Sequence, residues 1–146
     1  MTFIRHAVCA AALAGLLVPA ASFAAETVSL PRFTSVGLEG GGHVAMLVDQ
    51  HYVNGVEVTF FGRRCKANPF IARLARHVDC PIHGTRVVRL PDRHRFRVEL
   101  SEAIEPRRDG EGKLDVQGTM QVITSVVEGW IREHPDQWLW VHRRWR

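Results

Sequence analysis

The chain has 146 residues, room for one domain, and 46% of them are apolar, which excludes wholesale disorder. Its formal charge is +4, and seventeen of its nineteen basic residues are arginine, Lys66 and Lys113 being the exceptions. The planar guanidinium suits phosphate and carboxylate, but a GC-rich genome favours arginine codons too, so composition does not choose between nucleic acid, anionic lipid and acidic protein as partner.

The charge is divided along the chain. From Phe60 to Arg97 ten basic residues meet two acidic ones, and from Val98 to Asp136 four basic residues meet nine acidic ones. A split of this kind marks a basic surface that faces something negative.

Residues 1–24 read as a secretory signal or an anchor. Arg5 and His6 are followed by the apolar run AVCAAALAGLLV, and Ser22–Ala24 offer small residues for cleavage. The run is shorter than the ~20 residues that a membrane span needs. Once such a leader is removed, Cys65 and Cys80 remain, to be paired in an oxidising compartment or packed as free thiols. Residues 25–34 form a linker, and 35–146 carry the domain.

His43–Asp49, HVAMLVD, is a near-continuous apolar run expected as a strand buried on both faces. It delivers Asp49 and Gln50 at the carboxyl end, where open α/β sheets place ligand sites. Val56, Val58 and Phe60 alternate in a short strand or extended loop over 56–62. Asn68 as N-cap and Pro69 at the first position announce a helix. Its apolar stripe is Phe70, Leu74 and Val78, its outer face carries Arg73, Arg76 and His77, and Asp79–Pro81 end it.

Two strands, 82–90 and 95–100, flank a Pro91-Asp92 turn; Phe96, Val98 and Leu100 point one way and Arg95, Arg97 and Glu99 the other. After a polar loop at 105–113, a long amphipathic helix shows Val116, Met120, Ile123, Val127, Trp130 and Ile131 on one face. His134-Pro135 stops it. The order predicts an α/β fold with a partial mixed sheet flanked by helices.

Several constellations invite chemistry and fall short of it. His77-x-x-Cys80-x-x-His83, with Cys65, is compact, but its members fall on a helix, its end and the next strand, with no Cys-x-x-Cys knuckle. Glu39–Gly42 lacks the Lys-Ser/Thr that makes a glycine cluster a phosphate loop. His94 and Glu99 enclose four residues, yet an offset of five on a strand sends the two side chains to opposite faces.

The tail carries a far more specific pattern. VVEGWIREHPDQWLWVHRRWR, Val126–Arg146, closely resembles the C-terminal signature of the late (lauroyl/myristoyl-type) acyltransferases of lipid A biosynthesis. GGHVAMLVDQHYVNGVEVTFFGRR (Gly41–Arg64) and ANPFIARLARHVDCPI (Ala67–Ile82) resemble two further blocks of that family in the same order.

The resemblance implies the C-terminal portion of a glycerolipid-acyltransferase-like fold. It also implies transfer of a fatty acyl chain from acyl carrier protein to a hydroxyl of a lipid A precursor, with no cofactor and no nucleic acid. The setting it implies is the cytoplasmic face of the inner membrane; the signal-like start points instead to periplasmic export.

On this reading the substrate- or membrane-binding candidates are Asp49, Gln50, Phe60, Phe61, Arg63, Arg64, Arg86, Trp138, Trp140, Arg143, Arg144 and Trp145. The tryptophans suit the interfacial zone, and the terminal arginines suit anionic headgroups. The family's catalytic pair, a His and an Asp or Glu enclosing four residues, is implied to lie in an N-terminal half that this sequence does not carry. The expectation is therefore a truncated family member with no catalytic residue of its own. The competing expectation is an exported basic module that binds anionic lipid or another envelope component.

Overall fold

Two antiparallel hairpins and two helices account for most of the architecture. The structure, a computed structural model, describes residues 7–10 and 40–145. The remainder of the leader-like segment, the linker at 25–34 and Arg146 lie outside the described residues.

The elements run β1 (Ala7–Ala10), β2 (His51–Phe60), β3 (Arg63–Ala67), α1 (Phe70–Val78), β4 (Ile82–Arg89), β5 (Phe96–Ile104) and α2 (Val116–Glu133), then a 3₁₀ turn (Pro135–Gln137). They form two sheets where a single one was expected. One is mixed, in the order β1-β4-β5, with β1 parallel to β4 and β5 antiparallel to it; the other is the β2–β3 hairpin.

The β2–β3 hairpin turns on Phe61 and Gly62, whose φ angles are 50° and 73°. Phe60 pairs with Arg63, so the loop has two residues and both take positive φ, the geometry whose twist matches the flanking strands. Glycine does this freely; phenylalanine does not. β3 was not expected, because RRCKA shows solvent two of its five residues and three arginine or lysine side chains. Its Cys65 and Ala67 nonetheless point into the core.

The run at Val44–Val48 is a correction. It makes no ladder, and its burial alternates: Val48 is buried and Val44 and Met46 pack on the core, whereas Leu47 is 53% exposed. Among the described residues no strand pairs with it, so only one of its faces is covered. Asp49 and Gln50 consequently sit in a bend rather than at a strand end.

Helix α1 buries Ile71, Ala72, Leu74, Ala75 and Val78, with Phe70 half-buried at the margin. The cap lies one residue later than expected: Pro69 holds the cap position, and Asn68 Oδ1 accepts the Phe70 amide at 3.0 Å. Asp79 ends the helix in the left-handed conformation. Helix α2 buries the expected face, and Asp115 caps it by accepting from the Gln117 and Gly118 amides.

Cys65 and Cys80 are buried free thiols rather than a disulfide, and burial pushes both pKa values up. Cys80 is enclosed while His77 is exposed on α1, and His83 Nδ1 lies 3.1 Å from the Ser101 carbonyl, so the three do not share a centre.

The β4–β5 hairpin turns its charged face inward. Phe96, Val98 and Leu100 are 39%, 68% and 62% exposed, while Arg86 and Glu99 lie beneath α2. Gly84 lets the Trp130 indole lie against β4, since a Cβ there would come within 2.5 Å of the ring.

Because the α2 cap is half-buried at the edge of the core, Asp115→Ala should leave the core intact yet lower stability by about 1 kcal/mol, the usual worth of an N-cap carboxylate. Urea unfolding followed by circular dichroism reads that loss as a lower midpoint at unchanged slope.

Candidate functional site

The terminal residues fold back over the tip of the β2–β3 hairpin. Trp145 stacks on Phe60 with ring centroids 5.5 Å apart, and its Nε1 donates to the Phe60 carbonyl at 3.0 Å. Trp138 approaches the same ring at 6.2 Å, and Trp140 approaches Phe61 at 6.0 Å. Phe60 itself is 1% exposed. Phe61, Trp138 and Trp145 thus close over Phe60, and Trp140 extends the cluster through Phe61, each pair within the range in which edge and offset packing is favourable.

Arg144 is the cation at the centre of this cluster. It is 3% exposed, and Nη1 donates to the Gln50 and Lys66 carbonyls at 2.8 and 2.6 Å. The guanidinium carbon lies 5.5 Å from the centre of the Phe60 ring. Burial pulls its pKa below the ordinary guanidinium range, while Cys65 and Asp49 act in the opposite direction. Arg144 was expected to hold an anionic headgroup, and its burial corrects that: its donors are engaged by backbone inside the fold.

The neighbouring polar groups are drawn into the same corner. His142 Nε2 accepts the His51 amide at 2.9 Å, which ties the tail to the start of β2. Asp49 Oδ1 is buried without a hydrogen-bond partner among the described residues, and its charge bears on Arg144.

Phe61 holds its positive φ because three contacts converge on it. Its amide donates to Glu128 Oε2 at 2.7 Å, Arg132 sits 4.7 Å over its ring, and Trp140 packs against the same ring. Burial raises the Glu128 pKa, but the Phe61 amide and Arg132 outweigh it and hold the carboxyl below its usual range. Glu128 and Arg132 were not among the expected site residues. Their spacing of four on an exposed helix face was the available signal.

The remaining candidates divide. Arg63 is exposed and covers the Trp145 ring at 5.4 Å, whereas Arg64 and Arg143 are exposed and make no such contact among the described residues. Arg86 lies elsewhere, on the inner face of β4. There Nε donates to Glu99 and Nη1 meets Glu133, each at 2.6 Å, with Trp130 beside it. The hydrogen bond from Arg86, aided by Arg97, holds the Glu99 carboxyl below its usual range. Both Glu99 oxygens are therefore taken by arginines, and the His94 amide bonds to Asp92, so His94 and Glu99 do not act as a pair.

A model of the bacterial lipid A biosynthesis acyltransferase family matches residues 35–146. No curated protein matches the chain.

Removing the Arg144 side chain takes a donor from the Gln50 and Lys66 carbonyls and the cation from the face of Phe60. Arg144→Ala should cost on the order of 3 kcal/mol. Arg144→Lys should recover only part of that loss, since an ammonium lacks the planar fork and its nitrogen reaches one bond less far than Nη. Chemical denaturation of both variants checks the order of stabilities.

Proposed function

The chain belongs to the bacterial lipid A biosynthesis acyltransferase family, and from that premise we propose that it serves acyl transfer from acyl carrier protein to a hydroxyl of a lipid A precursor. We place it at the cytoplasmic surface of the inner membrane, where it contributes the part that faces the membrane and holds substrate.

The observation that carries this reading is the division of labour within the tail. Arg144 and Trp145 turn inward and lock the segment onto the hairpin, and the same lock presents Leu139, Trp140 and Val141 outward, 54%, 50% and 81% exposed. Three consecutive large apolar residues on a fixed support, with Arg143 exposed beside them, suit shallow insertion among headgroups. Arg63 and Arg64 on the hairpin add positive charge toward an anionic surface. No helix among the described residues is long and apolar enough to cross a membrane.

The described residues bind and orient rather than exchange protons. Glu99 is committed to arginines, which removes the carboxylate that His94 would need for general-base work. Trp138, Phe60 and Phe61 shape the ground under the tip, the Gln50 carbonyl braces Arg144, and Asp49 balances its charge.

Vesicle sedimentation tests the proposal. Binding should rise when a lipid A precursor is included in the bilayer, and it should fall with salt because headgroup attraction is screened. Trp140→Ala and Val141→Asp should weaken binding to neutral and anionic vesicles alike, and Arg143→Gln to anionic vesicles alone. The chain by itself should show no acyl turnover; turnover abolished by His94→Ala would overturn the assignment of Glu99. Binding indifferent to the precursor would favour a general anionic-lipid module instead.

A further inference from the structure

A cleft of about 980 Å³ opens between the β4–β5 turn and the residues that follow α2. Its walls include three arginines, Arg89, Arg93 and Arg97, against one carboxylate, Asp136. Phe96, Trp138 and Leu139 supply much of its apolar lining. The arginines differ in commitment. Arg97 donates Nε to Glu99 and Arg89 lies 4.9 Å over the Phe96 ring, while Arg93 has no side-chain partner among the described residues. The turn holds Arg93 at a φ of 61°, pinned by its amide to the Leu90 carbonyl.

Phe96 belongs to two features at once. It lines the cleft, and it begins the exposed stripe that Val98 and Leu100 continue along the outer face of β5. Val87 of β4 stands beside Val98 in the ladder and widens that stripe. A cationic mouth therefore runs into an apolar track about 13 Å long, given the rise of a strand over four residues. A free anion would use the mouth and leave the track wet; a hydrocarbon would cover the track and leave the cations unpaired. One molecule satisfies both.

We propose that this cleft binds the phosphomonoester end of a lipid, with the hydrocarbon chain lying along Phe96, Val98 and Leu100. The assignment rests on the acyltransferase reading for the presence of such a lipid, and it names the part of this chain that grips the phosphate. Guanidinium groups bind phosphate through charge-assisted, frequently bidentate hydrogen bonds. Arg93 is the group free to make them, and Arg89 and Arg97 line the same cleft.

The experiment titrates the full chain with a single-chain phosphomonoester amphiphile below its micelle concentration, following heat of binding and tryptophan emission. Inorganic phosphate and the uncharged alcohol of equal chain length should each bind about tenfold more weakly or worse. Arg93→Gln should weaken amphiphile binding about tenfold, Val98→Asp should weaken it while sparing inorganic phosphate, and Arg73→Gln on the exposed face of α1 should change nothing. Trp138→Phe should remove most of the emission change and leave the heat. Equal affinity for inorganic phosphate, or affinity untouched by Arg93→Gln and Val98→Asp, would overturn the assignment. If the cleft fails while precursor-dependent vesicle binding persists, the cleft proposal falls and the family-level reading stands; loss of both removes the two together.

Discussion

Arg144 brings a permanent charge to a place almost closed to water, and much of the architecture answers that demand. A buried guanidinium is tolerable only with its donors filled and its charge balanced. The Gln50 and Lys66 carbonyls supply the acceptors, the face of Phe60 supplies a favourable quadrupole, and Asp49 supplies opposite charge. Gln50 and Lys66 are sixteen residues apart in sequence and reach one nitrogen only if the β2–β3 hairpin has closed. The hairpin, the bend at Asp49 and the returning tail are therefore parts of one arrangement. The outward display of Leu139–Val141 depends on it as well, because that display has no support unless Trp145 and Arg144 are seated.

A second economy recurs at the strand margins. An unpaired strand edge is a row of donors and acceptors that invites association. On β2, the Gln121 side-chain amide takes both the Thr59 amide and the Thr59 carbonyl, at 2.7 and 2.9 Å. On β4, Gln137 does the same for Arg89, at 2.8 and 3.2 Å, beyond the point where β1 stops pairing at Thr85. A primary amide has the donor and acceptor of a peptide group, so one glutamine imitates one residue of a missing strand. Both glutamines belong to α2 or to the turn after it, which welds the helical layer to both sheets.

Much of this was legible in the sequence, and the limits have physical causes. The stripes of α1 and α2 repeat at helical spacing within short windows, and they lie where that periodicity places them. The tail's composition identified a special segment, but which of its residues face inward depends on contacts across 85 to 94 positions, which no local pattern encodes. β3 escaped notice because a hairpin strand that buries only Cys65 and Ala67 looks polar in one dimension. Val44–Val48 misled in the opposite sense: a continuous apolar run implies two covered faces, and the described residues cover one. Arg86 was singled out with residues it never meets, since charge alone carries no address.

The attachment of Gln137 bears on how the structure moves. The 3₁₀ turn forms one wall of the cleft, and a single side chain fastens it to β4 through two hydrogen bonds. Releasing them costs about 2 kcal/mol, far less than global unfolding. Local excursions of this size occur in folded proteins without loss of the core. The turn's other ties run within the tail, through the Trp140 indole on the Pro135 carbonyl at 2.7 Å and the Gln137 amide on the His134 carbonyl. The spacing of this wall from β4 therefore rests on the reach of one amide side chain, so the length of residue 137 sets the width of the cleft.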